Sequence, residues 1–560
     1  MPQLALSTTC YWKVCFFPLN PEAERLFSFP EMLSGLALLV LAWTIADIRY
    51  HFRISIAPFP LRAATFYSVI TISALTLMTD LWRANSWYVP IGPIFTPESW
   101  QIFLAGMLLS TFTLWSWYAF IRPPIFGKPN SLRFGQALFQ HILKSAPDEL
   151  PIITDELGRS AKNLVKYAPA LTNSNQKQNL TKVESIANDM LSLIANKRFC
   201  RALVAHAPQT IFQIFHSISE NKKYNIQIKV FGKNILNAAL ADTDSFIYHE
   251  ENEYDSGYIG HLRPISRVIY GNFQLVDAAE RLLEIDLELS EVMTNQQWKG
   301  YFRLFEITLF SYIESGCPKD SFCISGAFDT IKDSFQLKRW EAHGKTISWR
   351  DSLYYLFHCI FQFVNTVGKS VNATSLDLPL EKITQNQYST TDLSDPLSDL
   401  FFSMIEFTTN QNYSDHRDCW RAQYGAAWGP MRTFERSHGE FGRIVLRKVR
   451  AKLHASIKEL YVQPSIESAY HLGFCLNVLG LEPITGSTKI DKANRALQHV
   501  ALRWTKRHFA GVAASHPQFP TAALPPSFEY DDVNHKILQK MERHGLRTTS
   551  TVKSLTLDPP

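Results

Sequence analysis

Apolar positions are spread unevenly along the chain. Three near-continuous apolar runs lie within the first 121 residues, and behind them apolar residues recur at helical spacing. The first run extends from Phe29 through Leu36, Leu39 and Trp43 to about Ile48, the second from Ala63 to Trp82, and the third from Ile102 to Ile121. Each supplies close to the roughly 20 residues that a helix needs to cross about 30 Å of hydrocarbon. Aromatic residues gather at the ends, among them Trp82, Trp87, Tyr88, Trp100, Trp117 and Tyr118, where a membrane interface would lie. The pattern predicts a transmembrane region over 29–121, with spans at about 29–48, 63–82 and 102–121.

Arginine and lysine set the expected orientation. Arg49, Arg53 and Arg62 follow the first run, and Arg122, Lys128 and Arg133 follow the third, whereas the loop between the second and third offers Arg83 alone, beside Asp80 and Glu98. By the positive-inside rule the first loop and everything after residue 121 are cytoplasmic, and residues 1–28 are external. Cys10 and Cys15 would then sit in an oxidising compartment, as a pair or as two thiols. Asp47 and Asp80 both fall near span ends, so no ionisable side chain stands at mid-depth as a transporter would need. Small polar residues such as Ser68, Thr76 and Thr113 suit helix packing, or a pore formed by oligomerisation. A fourth apolar stretch, Leu353 to Val364, is short and interrupted by His358 and Gln362, and reads as a core helix.

The remainder reads as helix after helix, giving a mostly α protein: three transmembrane helices and a large all-α cytoplasmic domain in one or two lobes. Residues 122–368 form the first helical region, with a helix near Leu132 to Lys144 at the membrane surface and others near Ile152 to Tyr167, Thr181 to Ala205 and Trp349 to Val367. The strand-like Gln227 to Phe231 fits better inside a helix. Residues 369–398 are rich in Ser, Thr, Asn, Gln and Asp and read as a linker, 399–511 as a basic helical region, and 512–560 as a Pro-containing extended tail with one short helix near Asp532 to Arg543.

Composition narrows the function. At 560 residues the chain has room for several domains, and 46% apolar against 19% charged residues is charge-poor for a soluble protein. A net charge of +5 does not mark a nucleic-acid binder. Eight cysteines without a Cys-x-x-Cys pair exclude the common zinc and thioredoxin motifs, and no cleavable signal peptide is legible. Phosphate-loop, dinucleotide and Gly-x-Ser-x-Gly signatures are missing, so no cofactor is expected.

Three segments carry candidate chemistry. Residues 242–261 concentrate acids with two histidines; His249, Glu253, Asp255 and His261 are potential metal ligands, though their spacing matches no known motif. In Asp415-His416-Arg417-Asp418-Cys419, a thiol lies one helical turn from an imidazole, as a nucleophile and its base would. Glu440 to Tyr461 is a basic amphipathic helix. Phe441, Val445, Val449, Leu453 and Ile457 make its apolar stripe, and Arg443, Arg447, Arg450 and Lys458 are candidate binding residues for lipid headgroups or a partner. Arg432 and Arg436 before it, and Arg495, Arg503, Lys506 and Arg507 after it, could extend the patch.

The reading that follows is an integral membrane protein, of a bacterial inner membrane, whose cytoplasmic body binds, senses or scaffolds. Its partners are the lipid bilayer and a protein or a second copy, and nucleic acid is not expected. A membrane-bound metal-dependent hydrolase and an oligomeric pore are the competing classes.

Overall fold

The computed structural model describes residues 9–11, 14–45, 47–90, 96–144, 146–170, 180–250, 264–316, 321–342, 352–373, 393–409, 411, 413, 415–541 and 551–559. The chain is mostly helical and divides into two units, residues 1–231 and 232–560.

In the first unit, helices Phe29–Ile45, Leu61–Ala84 and Pro97–Ser116 pack around Met32, Val69, Ile72 and Leu104. Among the described residues, two helices are long and apolar enough to cross a membrane, Leu61–Ala84 and Pro97–Ile121. The first expected span is shorter than its apolar run. Its helix has 17 residues and stops at Ile45, because Asp47 caps a new helix, Ile48–Ser55, by accepting a hydrogen bond from the Ile48 amide. Asp80 also acts at a helix start, since its Oδ2 accepts from the Phe29 amide at 2.9 Å. Thr96 and Ser99 cap the last of these helices reciprocally, with Pro97 at its first position.

The two ends of this helix group differ in chemistry. At one end, strands Thr9–Tyr11, Val14–Pro18 and Tyr88–Pro90 form an antiparallel sheet in that order, and Cys10 and Cys15, opposite each other in the register, are joined by a disulfide. At the other, Ile48–Ser55 docks against Ser131–Lys144 and Leu150–Gly158. Arg53 is buried there, with Nε and Nη2 donating to the Glu156 carboxylate at 3.0 and 2.5 Å and Nη1 to the Ala119 carbonyl at 2.9 Å. Phe52 meets Phe134 edge-on, and the Asn130 amide donates to the Ile56 carbonyl. The arginines expected to mark the cytoplasmic side therefore also fasten the first loop to the helices that follow the third run. The helix expected over Thr181 to Ala205 is two, Lys182–Ile194 and Lys197–His206, because Asn196 turns the chain and caps the second by accepting from Arg198 and Phe199.

In the second unit, Phe302, Phe305, Phe328 and Phe363 form a ring cluster joining helices Asn295–Glu314, Phe322–Ala342 and Ser352–Ala373. The last of these contains the fourth apolar stretch, with Leu356, Ile360 and Val364 buried. Helices Ser394–Thr409, Gly439–Glu459, Ile466–Leu479 and Lys489–Ser515 build the rest. Gln227 to Phe231, which close the first unit, run into helix Lys229–Ala241. Most of the 369–398 segment lies outside the described residues; its ends belong to the Ser352–Ala373 and Ser394–Thr409 helices.

The C-terminal tail corrects the sequence reading. In place of a helix near Asp532 to Arg543, strands Phe528–Asp531, Lys536–Met541 and Thr551–Thr556 form an antiparallel meander. Ile537 and Gln539 point inward while Lys540 faces solvent, a period of two. Asp531 closes the first turn by accepting from the Asn534 amide, and His535 takes a left-handed conformation with φ +47°.

Candidate anion-binding cleft

A cleft of about 560 Å³ opens in the second unit between helix Ser352–Ala373 and the segment from Tyr424 to Arg436. His358, Gln362 and Asn365 recur at three- and four-residue intervals and face it from one wall, over a floor that includes Phe357 and Phe361. The two residues that broke the apolar run are thus on the polar edge of a helix whose opposite face, with Leu356, Ile360 and Val364, is buried. His358 Nε2 and Gln362 Nε2 lie 3.0 Å apart on that edge.

The opposite wall is irregular for a physical reason. Residues Arg421–Trp428 are wound as a π-helix and pass directly into helix Gly429–Ser437. Pro430 has no N–H to give to the preceding turn, and a Cβ at Gly429 would stand 2.9 Å from the Tyr424 carbonyl oxygen, so the widened turn needs glycine there. π-Turns are rare and recur at functional sites. Tyr424, on the cleft wall, stacks on Trp420 at 4.5 Å with the rings nearly parallel.

Arg432 and Arg436 follow one helical turn apart, both lining the cleft. The Arg432 Nε is buried and has no hydrogen-bond partner among the described residues. Among the described residues no carboxylate lines the cleft. Asp491 nearby titrates below its ordinary value, held there chiefly by hydrogen bonds with Thr488 and, over a longer range, by the positive field of Arg432 and Arg436.

Two buried contacts hold this wall in place. His438 stacks on Phe434 and sets its ring nitrogens against two carbonyl oxygens, Nδ1 at 3.0 Å from Phe434 and Nε2 at 3.2 Å from Asn365 on the facing helix. Beneath it Arg450 donates to Glu435 through Nη1 at 2.9 Å and Nη2 at 2.5 Å, and through Nε to Asn494 Oδ1 at 2.8 Å.

That last contact corrects the sequence reading of Arg450, which is buried in a structural ion pair and unavailable to a lipid or partner. The apolar stripe Phe441, Val445, Val449, Leu453 and Ile457 is buried throughout, so this helix faces the protein core and not a bilayer. Lys448 and Lys452 are paired with Asp395 and Asp399 of the neighbouring helix. Arg447 and Lys458 are exposed, and Arg443 turns back to the Gly439 carbonyl at 3.2 Å. Arg495 donates to the Ile484 and Gly486 carbonyls.

Of the possible metal ligands, His249 is exposed, while Glu253, Asp255 and His261 lie outside the described residues. Among the described residues no group of three metal-binding side chains converges. Acids of this segment serve the backbone: Asp242 accepts from the Asp244 amide, and Glu250 accepts from the Ile265 and Ser266 amides at the start of helix Ile265–Tyr270. The thiol of Cys419 is buried, and that burial pushes it up to about 12, the reverse of what a nucleophile needs.

No family model matches the chain, and neither a curated protein nor a solved structure is significantly similar to it.

Proposed function

We propose that this is a membrane-anchored binding protein whose second unit captures a phosphate-bearing ligand in the Arg432–Arg436 cleft. The observation that carries the reading is the pairing of two arginines in an open cleft where, among the described residues, the buried Arg432 Nε has no hydrogen-bond partner and no carboxylate lines the walls. A guanidinium presents a planar fork of donors that matches phosphate oxygens two at a time, and such charge-assisted bonds are about twice as strong as neutral ones. The test is thermal melting of the full-length protein in detergent with added inorganic phosphate, pyrophosphate or ATP. A rise in melting temperature that disappears in Arg432→Gln/Arg436→Gln supports the reading; no rise, or one that survives the double substitution, overturns it.

The anchor in this proposal is the three-helix group of the first unit, with residues 1–28 outside and everything after residue 121 in the cytoplasm of a bacterial inner membrane. Its support is physical. Large apolar side chains such as Leu38, Phe66, Tyr67, Ile70, Ile102 and Leu109 are exposed around the helices, a surface that water penalises and lipid does not. The disulfide favours an oxidising side for one end, and the arginines of the first loop favour the cytoplasm for the other, so two unrelated signals agree. The Phe29–Ile45 helix, about 25 Å long at 1.5 Å per residue, crosses with help from its polar flanks. Leu132, Phe139 and Leu143 remain exposed on one side of helix Ser131–Lys144, which suits a helix lying at the membrane surface. Association with a protein partner or a second copy would give the ligand signal an output.

A further inference from the structure

We infer that the first unit holds a site for one anionic phospholipid, its phosphate gripped by Arg62 and Arg133 and an acyl chain lying between helices Phe29–Ile45 and Leu61–Ala84. This rests on the membrane-spanning reading above. A cavity of about 830 Å³ separates the two helices on the arginine-bearing side of the unit. Its walls are largely apolar, with Trp43, Phe66 and Ile70 among them, and among the described residues Arg62 and Arg133 are the charged ones that line it. Among the described residues no carboxylate lines the cavity beside the two guanidinium groups.

The two arginines are held ready. The Arg62 guanidinium sits 5.3 Å above the Trp43 ring, and Arg133 Nη1 donates to the Ala57 carbonyl at 3.2 Å. Both contacts leave further N–H groups on each fork, since a guanidinium carries five. Arg62 is exposed and Arg133 half-buried, so both forks can reach an anion at the mouth of the cavity. Basic pockets between membrane helices on the cytoplasmic side bind acidic headgroups in this way.

Length agrees with charge. From Arg62 to Ser73, both on the lining, the helix advances about 16 Å at 1.5 Å per residue. That is close to half of the roughly 30 Å hydrocarbon thickness, the depth of one leaflet. A free anion would fill only the arginine end, whereas a phospholipid satisfies both ends of the cavity.

The experiment melts the full-length protein in a mild neutral detergent while phosphatidylglycerol, phosphatidylcholine or inorganic phosphate is added. Phosphatidylglycerol raises the melting temperature more than phosphatidylcholine does, and Arg62→Gln removes the excess. Arg62 is chosen because it is exposed, whereas Arg133 also supports the Ala57 carbonyl. Equal shifts from the two lipids, an excess that persists in Arg62→Gln, or inorganic phosphate reproducing the Arg62-dependent shift would each overturn the site. The wild-type comparison decides even if the variant fails to fold. Carbonate washing of vesicles separates the two levels: release of the chain overturns the membrane reading, while retention with indistinguishable lipids overturns the site alone.

Discussion

Glu435 and Arg450 face each other 15 residues apart in sequence, as a two-pronged ion pair with both side chains buried. Glu435 immediately precedes Arg436 of the cleft, so the pair fixes the helix on which both cleft arginines stand. Removing the cation strands a buried carboxylate. Arg450→Met is expected to cost about 3–5 kcal/mol, and Arg450→Met/Glu435→Leu to recover much of that loss, because replacing both partners removes the uncompensated charge. Melting temperatures of the two variants check this; a single variant as stable as wild type would refute the buried pairing.

Gly368 stands where the two cleft walls touch. A Cβ added there would lie 2.4 Å from His438 Cδ2, a ring held between two carbonyl oxygens. Gly368→Ala is expected to destabilise by about 1–3 kcal/mol through overpacking, and to weaken any phosphate-dependent melting shift along with it. Adding His438→Ala should relieve the clash. If Gly368→Ala melts like wild type, the contact between the walls is looser than described.

Glu306 gives the second unit a pH dependence. Burial lifts its carboxyl to about 7, against a hydrogen bond with Thr366 that lowers it. The folded value thus stands above the ordinary 4.5, so the group's stabilising contribution is whole below about 4.5 and is lost as pH rises through about 7. Glu306→Gln cannot ionise and should melt higher than wild type at pH 8 while matching it near pH 4.5. A wild-type protein whose melting is no lower at pH 8 than at pH 5, with Glu306→Gln parallel to it, would contradict the assignment.

Arg443 and Arg447 bear on the basic-helix idea. With the apolar stripe buried and Lys448 and Lys452 paired, the exposed charge is scattered. Arg443→Glu/Arg447→Glu is expected to leave melting within about 0.5 kcal/mol of wild type, as surface changes do, and to leave the phosphate-dependent shift intact. Loss of that shift would restore this face as the binding surface.

How much was legible follows from which signals are local. Apolar runs and helical periodicity are properties of neighbouring residues, so the helical class, the early apolar helices and the core helix around Leu356 to Val364 could be read directly. Whether an arginine is a surface charge or a buried one depends on what packs against it. Arg450 and Arg447 look alike in the sequence, and only the helix bearing Glu435 and the helix bearing Asn494 distinguish them. The cleft was hidden for the same reason. His358 and Gln362 read as flaws in an apolar run, and Arg432 as a mere extension of a basic patch, until the fold set them on facing walls. The C-terminal strands do not stand out in the sequence because Lys536 to Met541 is too short for its two-residue alternation to show, and its partners lie on either side in sequence.

Anchoring through the first unit requires its two ends to lie on opposite sides of a bilayer. Intact cells, reduced and then treated with a membrane-impermeant maleimide, test this directly, with a Cys10→Ser/Cys15→Ser variant as reference and a fluorescent reporter at the C-terminus. Labelling of Cys10 and Cys15 without lysis, absent in the variant and accompanied by a fluorescent interior reporter, is the predicted result. Labelling that appears only after lysis, or a reporter found outside, would contradict it.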